Sequence, residues 1–490
     1  MNRSVVLASW LGALGLGLVP TAAHSQDAFD VEAVLRGDGE GLSSADVVGR
    51  AVAHAPSLEA ADASVQRVSS SVQEVWASIL PTVSVGARYT RLSPIENDPL
   101  VPSSGGESPA PLVAGVDDPE ARELWAATLS QNQALASQTI PVIVDQFVFE
   151  AQVQVPVSEL FLTLLPRLEA AEAAVDAERS RREVVEATLR VRAREAYYGA
   201  LRARALIAVA SAQVLDVEEQ VRLARAGYEE GVVRRSDLLG AQAQLAGARA
   251  NRARALAMGG AADAVVRSLI GLGPDERLAL AEDLSSDLPR QARTPSTLVG
   301  LAFERRAEVR ALRHGMHASR SAQRAAEGAR WPALRFAFGA QLANPNQRYV
   351  PQRERFDGTW DLSVVLAWSP NQAVVADARA NAAGAETARL EADLAGFRDA
   401  LQREVATAHA EDRAARAQLT QAAAAAEAAE EAYRARQAER AEGEALTSEV
   451  LAAQTQLARA RLLQVDAAVS ARVARARLAF ATAGGVEPPG

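Results

Sequence analysis

The chain has 490 residues, 49% apolar and 23% charged, with 52 basic against 61 acidic side chains and a net charge of −9. Every basic residue is arginine, cysteine is missing altogether, and only 4% of residues are aromatic. Without cysteine there are no disulfides, thiolate metal sites, cysteine nucleophiles or lipid anchors on an N-terminal Cys. The acidic balance argues against a nucleic-acid partner, and scarce aromatics argue against a compact enzyme core. Length alone suggests roughly three average domains. Abundant Ala, Glu and Arg suit long helices packed at close range.

Residues 1–25 read as a secretory signal: Arg3 gives the positive end, Val5 to Val19 the apolar core, and Thr21-Ala22-Ala23 and Ser25 the small residues of a cleavage region. The apolar core is shorter than the roughly 20 residues that a spanning helix needs. Nowhere else do 18 apolar residues run together without charges. The exported chain is therefore soluble, surface-attached, or inserted in an outer membrane through strands.

The rest of the chain reads as a tandem structural repeat, 27–290 and 291–490. Each half reads as helix, two strands, long helix, turn and returning helix. Strands are expected at about 82–92 and 146–156 in the first half and at about 333–343 and 359–369 in the second. The long helices run from Pro166 to Ala226 and from Gln372 to Gln437, each extending roughly 90 to 100 Å at 1.5 Å per residue. Their turns, the tips at 227–236 and 439–448, carry the repeat most visibly. Ten of the nineteen residues from Gly231 to Arg249 recur from Gly443 onward, among them Gly231, Ser236, Leu239, Gln242, Gln244 and Leu245. Ser236 and Ser448 are placed as N-caps of the returning helices. The first half also carries an insertion, about Leu92 to Gln146, with a short helical run from Pro119 to about Ser137.

The four strand segments alternate with period two, and each has about the ten residues that a tilted membrane strand requires. One face gathers Val83, Val85 and Tyr89, then Phe147 and Phe149, then Phe336 and Phe338, then Trp360, Leu362, Val364 and Trp368. The other gathers Ser84, Arg88, Glu150, Gln152, Arg335 and Asp361, among others. A soluble sheet with one wet face alternates in the same way. The export signal, the charged opposite face and Trp at both ends of one strand favour a lipid-facing side instead. Four strands do not close a membrane barrel, and an open edge in lipid leaves costly unsatisfied backbone groups. Three copies would supply 12 strands around a polar bore, with symmetry closing the ring.

These features resemble the TolC-like family of outer-membrane efflux proteins over about Ser43 to Gly484. The residues that carry the resemblance are Ser78-Ile-Leu-Pro-Thr-Val-Ser-Val-Gly, the two tips Gly231 to Leu245 and Gly443 to Leu457, and Leu269-Ile-Gly-Leu-Gly. The resemblance implies an α+β membrane protein: a trimeric 12-stranded transmembrane β-barrel, four strands per chain, continued by a long periplasmic α-helical barrel. It implies a homotrimer in outer-membrane lipid that docks onto a periplasmic adaptor and an inner-membrane pump. It also implies contacts to the adaptor through Gly231, Val232, Ser236, Gly443, Glu444 and Ser448. A periplasmic gate is implied at Asp237, Arg440 and Glu449, where Arg440 aligns with a family tyrosine and is able to pair with Asp237. Solvated charges at helix starts account for the same three residues. His314 and His317 share a helical face but lack nearby acidic or thiol ligands, so no metal, cofactor or catalytic role is expected. The competing expectation is a soluble periplasmic coiled-coil scaffold or adaptor protein.

Overall fold

The computed structural model describes residues 41–94, 115–136, 143–284, 288, 291–442, 444–445 and 447–485, without the side chains of 132–136, 440, 441, 447, 448 and 451. The signal region, Gly443 and much of the 92–146 insertion lie outside the described residues. In chain order the elements are α1 (Ser44–His54), α2 (Pro56–Ile79), β1 (Thr82–Arg91), α3 (Pro119–Ala136), β2 (Asp145–Pro156) and α4 (Val157–Glu159). A π-helical turn (Leu160–Leu164) then leads into α5 (Leu165–Glu229) and α6 (Arg235–Ile270). The second half continues with α7 (Pro295–Arg305), α8 (Ala307–Gly328), β3 (Ala333–Asn344), β4 (Asp357–Ala367), α9 (Pro370–Ala441) and α10 (Thr447–Ala481).

Local chemistry explains most boundaries. Ser43 caps α1 through a reciprocal box in which its Oγ accepts from Asp46 N while Asp46 accepts from Ser43 N. Pro56 and Pro370 occupy first-turn positions, where a missing N–H costs nothing. Pro81 and Pro332 stop the preceding helices and start β1 and β3. Strand β4 spans 357–367 rather than 359–369, because pairing with β3 reaches back to Asp357 and Pro370 already opens a helix. Trp368 therefore sits just beyond the strand, where its Nε1 donates to Arg330 O at 3.1 Å.

The chain divides into two compact units, and each takes segments from both sequence halves. The first comprises residues up to Ala55, Thr188–Pro295 and Val405 onward. Its core packs Val47, Tyr197, Leu201, Val266, Leu284 and Val465, interleaved with buried alanines that let the helices approach closely. Leu42 pairs with Leu280 in a short parallel bridge, and the Tyr197 hydroxyl donates to Leu42 O at 3.0 Å. Beneath it, Glu282 accepts from the Tyr198 hydroxyl at 2.6 Å and from Ser44 N at 3.2 Å, with Arg472 Nε 3.6 Å away. Arg472 is 1% exposed and also donates to Asp283 O at 2.9 Å. Burial, reinforced by the Glu282 charge, raises the Tyr198 phenol well above its ordinary value and keeps it a donor.

The second unit, Pro56–Ala187 with Ser296–Glu404, contains the whole sheet. Arg306, 5% exposed, ties α8 to α9 through Glu308 at 2.7 Å and Glu404 at 3.1 Å, and lies over the Phe397 ring. The π-helical turn brings the Leu162 carbonyl against Gly328, where a Cβ would collide with it.

Breaking the first unit's charge cluster tests its weight. Arg472→Leu leaves Glu282 short of its cation and is expected to destabilise by about 3 kcal/mol. Glu282→Gln, which keeps an acceptor for Tyr198, is expected to cost less. Thermal unfolding followed by far-UV circular dichroism should rank the two in that order.

Candidate functional site

Strand register turns the alternating pattern into two surfaces. The order is β1-β2-β3-β4, antiparallel throughout. Tyr89 pairs with Phe147, Ala87 with Phe149, Val153 with Phe338, Val155 with Phe336, Phe338 with Leu362 and Phe336 with Val364. Apolar residues therefore meet apolar residues across all four strands and form one continuous face. Tyr89 and Phe147 have ring centroids 5.0 Å apart, and Phe338 and Trp360 6.4 Å. Val83, Val85, Tyr89, Phe147, Phe149, Phe336, Phe338, Trp360, Leu362, Val364 and Trp368 are all exposed, Trp360 to 69% and Val85 to 81%. Within a single copy this face covers no core.

The opposite face is polar in the same register. Gly86 lies opposite Glu150, and Gly339 opposite Asp361. A Cβ at either glycine would come within 3.0 and 3.1 Å of the facing carboxylate oxygen, so the missing side chains give each acid room to lie across the neighbouring strand. The β3–β4 connection folds onto this face. Arg348 Nη2 donates to Asp361 Oδ1 at 2.9 Å, and buried Asn346 donates to Asp357 O at 2.9 Å and Thr359 Oγ1 at 3.2 Å. β1 and β4 each have one partner strand, so both outer edges of the sheet present unpaired backbone groups among the described residues.

The hairpin tips belong to the first unit. Helix α5 ends in a Schellman arrangement: Val232 N donates to Gly227 O at 2.9 Å, Gly231 N to Tyr228 O at 3.1 Å, and Gly231 has φ +77°. Glycine is needed at 231 because other residues are strained there. At the end of α9, Glu444 N donates to Glu439 O at 2.9 Å, the same six-residue closure at the equivalent place. The connecting turns 230–234 and 442–446 are equal in length. Asp237 and Glu449 occupy the same third position of α6 and α10, where an acid complements the helix dipole, and both are exposed. Asp237 Oδ1 accepts from Ser236 Oγ at 3.2 Å. The Arg440 side chain lies outside the described residues. Val232, 77% exposed, projects from the first tip.

Ser236 is not the N-cap. The Schellman closure ends by Val233, extended Arg234 takes the cap position with no side-chain hydrogen bond, and α6 starts at Arg235. Ser448 likewise falls inside α10, which starts at Thr447. The π-helical turn and the Arg348–Asp361 pair were not foreseen. The first has no sequence signal, and the second depends on how the β3–β4 connection folds back.

The family model described as "Outer membrane efflux protein" matches residues 47–272. Over that stretch, somewhat under half of its length, the chain is similar to the outer membrane efflux proteins. That family is one of outer-membrane transport. No curated protein sequence matches the chain significantly. Among solved structures, CusC is 15% identical with a TM-score of 0.67, covering 90% of this chain and 92% of that one. The Campylobacter jejuni CmeC outer membrane channel is 12% identical with a TM-score of 0.69, covering 100% and 95%. The open-state Neisseria gonorrhoeae MtrE outer membrane channel is 17% identical with a TM-score of 0.66, covering 90% and 89%. At these identities the likeness is one of fold.

A sheet whose apolar face meets lipid should not tolerate charge there. Val364→Arg is expected to cost about 2–4 kcal/mol if the site lies near the bilayer midplane, and to reduce the yield of membrane-inserted protein. Ser363→Arg, on the polar face, is expected to insert normally. Quantifying both variants in outer-membrane fractions checks the register.

Proposed function

We propose that the chain is the outer-membrane exit duct of a tripartite efflux or type I secretion system. The observation that carries this reading is a four-stranded sheet with an exposed apolar face and two unpaired edges. Backbone groups left unpaired in hydrocarbon cost several kcal/mol each, so copies join edge to edge. Three of them make a 12-stranded barrel with Glu150, Gln152, Arg335 and Asp361 on its polar wall, while Trp360, Val364 and their neighbours face lipid. The helices extend into the periplasm, where the tips contact a periplasmic adaptor and an inner-membrane pump. The duct itself is passive, and its partners supply the energy.

In this reading Asp237, Arg440 and Glu449 hold the periplasmic end closed. Exposed ion pairs contribute only about 0 to 1 kcal/mol each, which suits a closure that partner contacts must displace. Gly231, Val232, Ser236, Gly443, Glu444 and Ser448 are the residues that this reading assigns to the adaptor contact. Exposed Val232 gives that surface an apolar point of contact.

Two measurements test the reading. The protein is expected in the outer-membrane fraction, extracted only by detergent and migrating as a heat-sensitive trimer. Recovery in osmotic-shock fluid as a monomer would instead identify a soluble scaffold. Asp237→Ala combined with Glu449→Ala is expected to raise single-channel conductance in planar bilayers, and unchanged conductance would reject the gate assignment.

A further inference from the structure

A recess of about 620 Å³ lies where the sheet meets its helices. Six strand residues line it: Thr82, Gln154, Pro156, Ala333, Arg335 and Ala367. Thr82 pairs with Gln154, Pro156 with Arg335 and Ala333 with Ala367. By the two-residue alternation all six fall on the rows of Ser84, Gln152, Ala337 and Val365. The strand part of the recess therefore lies on the polar side of the sheet, with Trp368 beyond the end of β4 also in the lining.

Its charge is positive, against the acidic balance of the chain. Arg167, Arg335 and Arg379 line it, with Glu159 as the acid in the lining. Glu159 is already engaged, accepting from Arg335 Nε at 2.9 Å and Nη2 at 2.8 Å. Those two hydrogen bonds, with the nearby Arg167 charge, hold its carboxyl below the usual range despite partial burial. Arg167 and Arg379 form no ion pair among the described residues. Ser369 and Gln372 place the positive N-terminal end of α9, a 72-residue helix, at the same recess. Ser158 has its hydroxyl committed to Leu334 N and Pro332 O, so it fixes the wall rather than a ligand.

We propose that this recess binds the oxyanion group, carboxylate or phosphate, of a solute passing along the polar wall. Arg167 and Arg379 are the principal cations. A guanidinium offers paired N–H donors that fit both groups, and the recess volume is that of an ordinary small-ligand site. Only the identification of the ligand as cargo rests on the duct reading; the binding site itself stands on the recess.

The test uses the full chain in detergent and in planar bilayers, with pyrophosphate as probe. Wild type is expected to bind pyrophosphate in isothermal titration calorimetry. Arg167→Gln with Arg379→Gln should weaken binding by about tenfold, the scale of one charge-assisted hydrogen bond. A charge-matched control, Arg181→Gln with Arg222→Gln, should leave it unchanged. In a salt gradient across a bilayer the recess variant should shift the reversal potential toward cation preference, and the control should not. No heat with wild type, or equal affinity in wild type and recess variant, overturns the recess. Absence of current from every protein, wild type included, overturns the duct reading while calorimetry still decides the recess.

Discussion

A sheet that begins at β1 and ends at β4 without closing, and whose apolar side covers no core, is the constraint to which the rest of the molecule answers. Neither fault is repaired within one chain. The apolar side calls for a non-aqueous surrounding, and the edges call for other strands. In the proposed duct a bilayer and further copies meet both needs at once, so that membrane residence and association would arise from the same geometry. The same proposal accounts for the polar side, since a closed ring of such sheets would turn Glu150 and Asp361 inward, where water solvates them.

The helices solve a different problem. Helices of 65 and 72 residues built from alanine, glutamate and arginine have weak apolar stripes and no single deep core along their length. Close approach through small side chains and frequent ion pairs, such as Arg202–Asp466 and Arg477–Glu195, take the place of large apolar contacts. Substantial burial is concentrated where Leu42, Leu280 and the Tyr197–Tyr198 pair meet α10, and a buried arginine and glutamate fix that junction. A buried pair of this kind sets geometry more than it adds stability.

Much of this architecture was legible in the sequence, because period two and period 3.6 are distinct and the prolines at 81, 332 and 370 punctuate them. The strands fall within two residues of their expected limits, and the insert helix ends at Ala136 as anticipated. The matched tips were visible as repeated letters and reappear as the same hydrogen-bond closure. The cap at Arg234 was hidden because a serine before a helix is the usual signal, and the tight turn used up the residues that would have made it one. The cationic recess was hidden for another reason. Its arginines come from three elements far apart in sequence, and only strand pairing and helix placement bring them to one wall.

The uncovered apolar side also dictates an order of events. In the proposed duct, a copy not yet inserted would expose Trp360, Val85 and much of Phe149 to water, with strand edges open to any neighbour. The first unit has an interior of its own, whereas in the proposed duct the sheet would gain its partners only on meeting sister copies and lipid. Assembly of that duct would then depend steeply on the concentration of copies.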